Sequence, residues 1–398
     1  MMTEPTSRDW AEIPKVQMDW YRSVPPWRLM SRAITIAWRS SHLVLALLGI
    51  GATLFGSWFA TILFETPGGV AIQPSWTPKS GSLIEAIRQG GLTGGALASA
   101  RLLREPWDWF VATALSPAGA LGWNGLAQKV FVVGWNIIVW SLIGGLLLRR
   151  SLVELGTQST IGWSDCFRTV GNRLASLFWS ILLPWSMVLA IALPIMGICG
   201  LARLGTIGNW IATVLLGLML ILLLQAGWAM LHGILGFPLA MAGVLAERKG
   251  DAFEGYSRSS AYLFQKPFTL AVSLLMGTFA GVVGAVMPTL AGWLASRLLA
   301  TLLLRLGPAG DAGMPLSLLT EWIDAWPLWF GLAFAFSFFW TSAAALYLIL
   351  RKEIDSTEYE EIDLDPPEQE SLAEPSEMAE SGKKSSEVSQ EPERAAGD

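Results

Sequence analysis

The chain has 398 residues, 53% of them hydrophobic and 15% charged, with a mean hydropathy of +0.47, a mixture that excludes an ordinary soluble enzyme. Its net charge of −5 conceals a division: residues 353–398 hold 16 of the 32 acidic residues against three basic ones, which leaves a basic body. Two cysteines, Cys166 and Cys199, and two histidines, His42 and His232, cannot supply a disulfide framework or a metal-ligand cluster, so no metal or other cofactor is expected.

Residues 1–41 are polar and hold no apolar stretch ending in a cleavage site, so the first hydrophobic span is expected to be its own insertion signal. A helix needs about 20 apolar residues to cross the roughly 30 Å hydrocarbon layer, where every backbone polar group must be satisfied within the segment. Six segments qualify, at 42–64, 130–148, 176–200, 207–231, 268–288 and 327–350. The expected fold class is all-α, a polytopic helical membrane protein. Its organisation is an N-terminal segment 1–41, a six-helix membrane domain 42–352 and an acidic tail 353–398.

The connections carry their own signals. Within the long outer loop 65–129, residues 107–125 contain Pro117 and a Trp at each end and read as interfacial or re-entrant. Gly90-Gly91 and Gly94-Gly95 in the same loop lack the Lys-Ser/Thr of a phosphate-binding loop. Pro184, Pro194 and Pro238 are candidate helix breaks, and residues 239–246 after Gly236-Phe237-Pro238 read as a short surface segment. Gly277 and Gly281 match the G-x-x-x-G pattern of close helix packing. Arg297 and Arg305, eight apart, suggest that 289–306 is a helix in the outer interface. Tryptophan suits the two interfaces, but Trp135, Trp140 and Trp340 sit nearer mid-span and are expected to pack between helices.

Lys and Arg are biased 16 to eight toward one side, which predicts cytoplasmic termini and a bacterial inner membrane location. Each returning span ends in a basic pair: Arg149-Arg150, Arg248-Lys249 and Arg351-Lys352. The tail from Glu353 is rich in Pro, Ser and Glu and is expected to be disordered and dispensable for folding. Ile354, Tyr359, Ile362 and Leu364 punctuate its acidic run and give 353–365 a composition able to dock on a protein partner.

One pattern recurs before spans one, three and five. Trp27, Met30, Ile34, Ala37 and Trp38 return as Phe167, Val170, Leu174, Leu177 and Phe178, and again as Phe253, Tyr256, Ser260, Leu263 and Phe264. The spacing i, i+3, i+7, i+10, i+11 is one stripe of an α-helix, so each unit opens with an amphipathic helix lying on the membrane. Three units of surface helix, ascending span and descending span follow, as an internal repeat. Asp251 with Glu254 resembles a capping box, and Ser164-Asp165 is placed to start the second helix. The polar faces carry Arg28, Arg32, Arg168, Arg173 and Arg258, candidate contacts for lipid headgroups.

The stretch from Gly250 to Pro267, with Ser257-Arg258-Ser259 among aromatics before a span, resembles a segment of uncharacterised multi-pass proteins of planctomycete-type bacteria. It is more distantly similar to the membrane domain attached to glycerophosphodiester phosphodiesterases. The resemblance covers at most 130–350, and the catalytic barrel of those enzymes has no counterpart. It implies a helical membrane module without established chemistry.

No ionisable residue lies near mid-membrane in the six spans; Asn136 and Gln225 are the notable polar groups there, suited to bonding a neighbouring helix or lining a solute path. With no catalytic constellation, the expectation is a non-enzymatic integral membrane protein that organises lipids or partner proteins. The competing expectation is a transporter of a lipid or uncharged solute, with a membrane enzyme third. Membrane lipids are the expected partners, and nothing suggests nucleic acid.

Overall fold

A computed structural model describes residues 26–64, 100–110, 123–247, 250–306 and 316–362. Among them the regular structure is helical: α1 (Pro26–Ala37), α2 (Ser40–Leu63), α3 (100–110), α4 (Trp123–Thr157), α5 (Trp163–Asn172), α6 (Leu174–Leu201), α7 (Gly205–Val214), α8 (Leu216–Leu235), α9 (Phe237–Ala246), α10 (Ala252–Gln265), α11 (Pro267–Leu306) and α12 (Leu316–Asp355). Six stretches are long and apolar enough to cross a membrane: Ser40–Leu63, Trp123–Thr157, Leu174–Val214, Leu216–Leu235, Pro267–Leu299 and Trp329–Asp355. Each overlaps one of the six expected spans, but residues 207–214, expected to open the fourth, continue the third, and the fourth starts at Leu216.

The amphipathic helices are α1, α5 and α10. Each is followed at once by a long apolar helix, and each break carries a basic residue: Arg39, Arg173 and Lys266. Asp251 caps α10 as expected, its carboxylate accepting from the Glu254 N–H at 2.7 Å. In the second unit Gly162, not Ser164 or Asp165, is the N-cap, and the break falls at Arg173, so Leu174, Leu177 and Phe178 belong to the following span. The most extensive helix contacts lie inside the three units, pairing α2 with α4, α6 with α8 and α11 with α12.

The core forms where the returning helices converge. Leu146, Leu147 and Leu148 of α4, all of α9, and Leu332–Phe336 and Ala343–Leu350 of α12 are buried, so the residues preceding each basic pair form the centre. Tryptophan rings join the helices, as expected for Trp135, Trp140 and Trp340. Trp340 lies against Gly144, where an added Cβ would come within 2.5 Å of the ring, and Trp140 lies against Gly49 in the same way. Trp135 occupies the space over Gly56 and donates its indole N–H to the Ala52 carbonyl at 2.8 Å. Gly281 and Gly284 receive Phe338 and Phe334 of α12, so this face of α11 packs within the chain.

Several expectations are corrected. Residues 239–246 are not at the surface; Phe237–Ala246 is a helix buried along its whole length. Its sequence FPLAMAGVLA offers no polar face, and a helix apolar all round is buried. Pro184 and Pro194 do not break α6, which runs through both; each costs one internal hydrogen bond, whereas a break would free more backbone groups. At Pro238 the expected break is present: α8 ends at Leu235, and Pro238 stands in the first turn of α9, where its missing N–H is no loss. Residues 289–306 are not a separate interfacial helix: α11 continues to Leu306, and its 40 residues measure about 60 Å. The outer loop contributes α3, whose Trp107, Trp109 and Phe110 insert among Phe237, Phe339 and Trp140. The rest of 107–125, up to α4, lies outside the described residues.

The tail does not begin at Glu353. Helix α12 reaches Asp355, Ser356 turns the chain at φ 55°, and the segment folds back on the body. Ile362 is buried against Gly156, Lys352 pairs with Glu358 at 3.0 Å, and Arg351 donates to the Glu361 carbonyl at 2.6 Å. Residues 363–398, including Leu364, lie outside the described residues. Truncation after Ile362 is expected to leave the melting temperature in detergent unchanged. Truncation after Lys352 removes the Ile362 anchor and should destabilise by about 2–4 kcal/mol, the range for losing a buried aliphatic side chain, read as a lower melting temperature.

Candidate functional site

The densest polar constellation surrounds the C-terminal end of α9. The last carbonyls of a helix have no partner in their own helix, and burial denies them water. Arg149, fully buried on α4, donates to the Leu245 carbonyl. Arg173, at the break before α6, donates to the carbonyls of Val244 at 2.9 Å and Glu247 at 2.5 Å. The Glu247 carboxylate then gathers two further arginines, Arg258 of α10 at 3.0 Å and Arg351 of α12 at 3.2 Å.

Arg258 also bonds Glu254 at 2.9 Å and lies 3.6 Å from Asp355. Asp355 accepts from the Tyr262 hydroxyl. Burial, Tyr347 and this carboxylate push the Tyr262 pKa well above the ordinary phenol range, so the residue is a neutral donor. Burial works against the charge on Arg258, but Glu247 and Glu254 outweigh it and raise its pKa. A second constellation joins α2, α4 and α5: Arg39 pairs with Glu154 at 2.5 Å, and Arg150 lies over the Trp163 ring at 4.1 Å.

The five arginines proposed from sequence therefore divide. Arg173 and Arg258 are held by internal acceptors; apart from Glu254, one turn before Arg258 on α10, these come from other elements and do not show in the sequence neighbourhood. Arg28 and Arg168 are exposed, and Arg32 is half-buried. Arg149 and Arg351, expected to anchor helix ends at the membrane, instead turn inward.

The first residue of each repeated stripe is exposed: Trp27 at 56%, Phe167 at 48% and Phe253 at 69%. Other stripe positions are buried, Met30 and Ala37 in α1, Val170 in α5 and Leu263 in α10, and the buried faces extend beside them to Leu29 and Ala33 and to Gly255, Ser259 and Tyr262. His232, near the C-terminal end of α8, is buried, with its Nε2 2.9 Å from the Ser259 hydroxyl.

Of the intramembrane polar candidates, Gln225 points outward from α8 and is exposed, so it lines no internal path. Asn136 is buried on α4. A larger apolar cavity of about 370 Å³ lies among α1, α3, α9, α11 and α12, with Met30, Trp107, Phe338 and Phe339 in its wall and Arg104 at its edge. Arg104 is paired with Asp108 at 2.8 Å. Among the described residues no three His, Cys, Asp or Glu side chains are grouped to hold a metal ion.

Comparison with protein-family models, curated proteins and solved structures returned no match. Glu247→Gln is expected to lower stability by about 3 kcal/mol, because it leaves Arg351 and Arg258 short of a buried counter-charge. The loss should appear as a lower melting temperature, with exposed Lys266→Gln as the unaffected control.

Proposed function

We propose that this is a non-enzymatic integral membrane protein of a bacterial inner membrane that gathers anionic lipids around its amphipathic helices, with both termini cytoplasmic. The observation that carries this reading is the exposed aromatic at the same stripe position of α1, α5 and α10, with exposed Arg28 beside Trp27 and exposed Arg168 beside Phe167. An aromatic ring belongs at the boundary of acyl chain and headgroup, and a neighbouring arginine then meets phosphate. Arg28 already lies 5.5 Å from the Trp27 ring centroid.

The transport reading has less support. The centre of the bundle is closed by stacked rings, among them Trp140 with Phe336 at 4.8 Å and Trp140 with Trp340 at 6.3 Å. Docking of a protein partner through 353–365 has less support too, since the segment up to Ile362 is occupied on its own body. A partner would first have to displace it.

The test is the amount of anionic lipid retained by the full-length protein after reconstitution in mixed vesicles. Each basic residue near an anionic surface contributes about 1 kcal/mol, so Arg28→Gln with Arg168→Gln should weaken retention roughly twentyfold to thirtyfold at unchanged melting temperature. Arg173→Gln and Arg258→Gln should instead lower the melting temperature. Retention that survives the Arg28/Arg168 double change would reject the reading.

A further inference from the structure

Helix α3 carries four ionisable residues on one stripe. Arg101, Arg104, Glu105 and Asp108 stand at i, i+3, i+4 and i+7, while Leu102, Pro106 and Trp109 on the opposite side are buried. The stripe itself is open: Arg101 and Arg104 are exposed, and Glu105 and Asp108 are half-buried. Asp108 takes only the Nε–H of Arg104, at 2.8 Å, and the rest of that guanidinium makes no hydrogen bond among the described residues. Arg101 and Glu105, also four apart, form no ion pair with each other.

The packed side of α3 sets the level of the stripe. Leu103 meets Gly281 of α11, about 21 Å along that helix from Pro267 at 1.5 Å per residue. Trp107 lies 5.0 Å from Phe339, in the middle third of the span Trp329–Asp355. Both contacts place α3 beside the middle of a span, where ionisable side chains are costly and mark binding sites and pathways.

Arg104 also forms the edge of the cavity of about 370 Å³, a volume in the range of small-molecule sites, roughly 300–1,000 Å³. Met30, Leu239, Leu270, Leu274 and Leu346 make its wall apolar. The Thr278 and Ser342 hydroxyls are given to carbonyls of their own helices, Leu274 at 2.8 Å and Phe339 at 3.0 Å. Among the described residues Arg104 is the only charged side chain in the wall. One side of Arg104 therefore adjoins an apolar space and the other a row of charges.

These two surfaces select an occupant. An alkyl chain matches the cavity. An anionic head that meets Arg104 also meets Asp108, and an ammonium that meets Asp108 also meets Arg104. An uncharged head leaves Arg101 and Glu105 without a counter-charge. A head bearing both a phosphate and an ammonium gives each arginine and each carboxylate its opposite.

We propose that α3 and this cavity bind a zwitterionic amphiphile, an alkyl chain whose head bears a phosphate and an ammonium group. The phosphate accepts from Arg104 and Arg101, the ammonium donates to Asp108 and Glu105, and the chain enters the cavity past Arg104. This goes beyond the gathering of anionic lipids and uses neither Arg28 nor Arg168, so vesicle retention and cavity labelling fail independently.

The experiment uses the full-length protein in nonionic detergent, photolabelled with a lysophosphatidylethanolamine that carries a diazirine in its acyl chain. The comparison probes are its N-acetylated form, which keeps only the negative charge, and the matching monoacylglycerol, which has none. The zwitterion is expected to label the α11 and α12 peptides that line the cavity about tenfold more than either analogue, the effect of one hydrogen bond to a charged group. Arg104→Gln should reduce that labelling about tenfold, at an unchanged melting temperature because the side chain is exposed. Asp108→Asn should reverse the preference, so that the N-acetylated form labels at least as strongly as the zwitterion. Lost packing produces no such reversal, and this variant decides the matter if Arg104→Gln does not fold. Equal labelling by the three probes, labelling confined to other helices, or an unchanged preference in either folded variant would overturn the proposal.

Discussion

The carbonyls at the end of α9 are the constraint around which the rest of the molecule is arranged. A ten-residue apolar helix enclosed by protein has no access to water at its C-terminus, so donors must come from other elements. Arg149 and Arg173 supply them, and Glu247 brings a carboxylate to the same helix end. That carboxylate then draws in α10 through Arg258 and α12 through Arg351. Four separate stretches of chain are thereby tied to one helix end. A buried ion costs several kcal/mol unless geometry and further hydrogen bonds offset it, and here each arginine finds carbonyl or carboxylate oxygens to do so.

The repeat gains physical meaning from the same region. In each unit an amphipathic helix turns at a basic residue into a span, and the returning helix delivers its last apolar residues to the centre. The units are not copies in detail. The second unit breaks its returning segment at Gly236 to make α9, whereas α4 and α12 run on and stop at residues with positive φ, Gln158 at 60° and Ser356 at 55°. Its paired helices α6 and α8 bury few residues, among them Leu177, Ser180 and Ile181 of α6 and Ala229, His232 and Gly233 of α8. The outer parts of that hairpin present leucine and tryptophan outward, as at Leu189, Leu193, Leu224 and Trp228.

Length and apolarity made the six spans legible, and the 3.6-residue period made the three amphipathic helices legible. The Asp251 cap could be read because its partner is three residues away. What could not be read depends on contacts between distant residues. Glu254, four residues before Arg258, marks it off from Arg28 in the sequence, but the approach of Glu247 and Asp355 does not show there. The acidic character of 353–362 hid its docking, although the spaced Ile354, Tyr359 and Ile362 were visible and are the residues that pack. The burial of α9 does carry a signal in the sequence, the absence of any polar side chain. Asn136 stands out in the sequence as an isolated polar residue, but its burial depends on the neighbouring helices.

The tryptophan contacts have a consequence for how this chain can vary. At Gly56 and Gly144 even the smallest side chain would overlap an indole, and at Gly49 it would press on one. A ring of that size cannot be exchanged for a smaller residue without leaving a void costing about 3–5 kcal/mol. Each glycine is therefore locked to a particular tryptophan, and the partners lie far apart in the chain. Drift at one member is barred unless the other changes in the same lineage. Outward-facing leucines carry no such steric constraint, whereas Gly49 with Trp140, Gly56 with Trp135 and Gly144 with Trp340 are expected to vary only together.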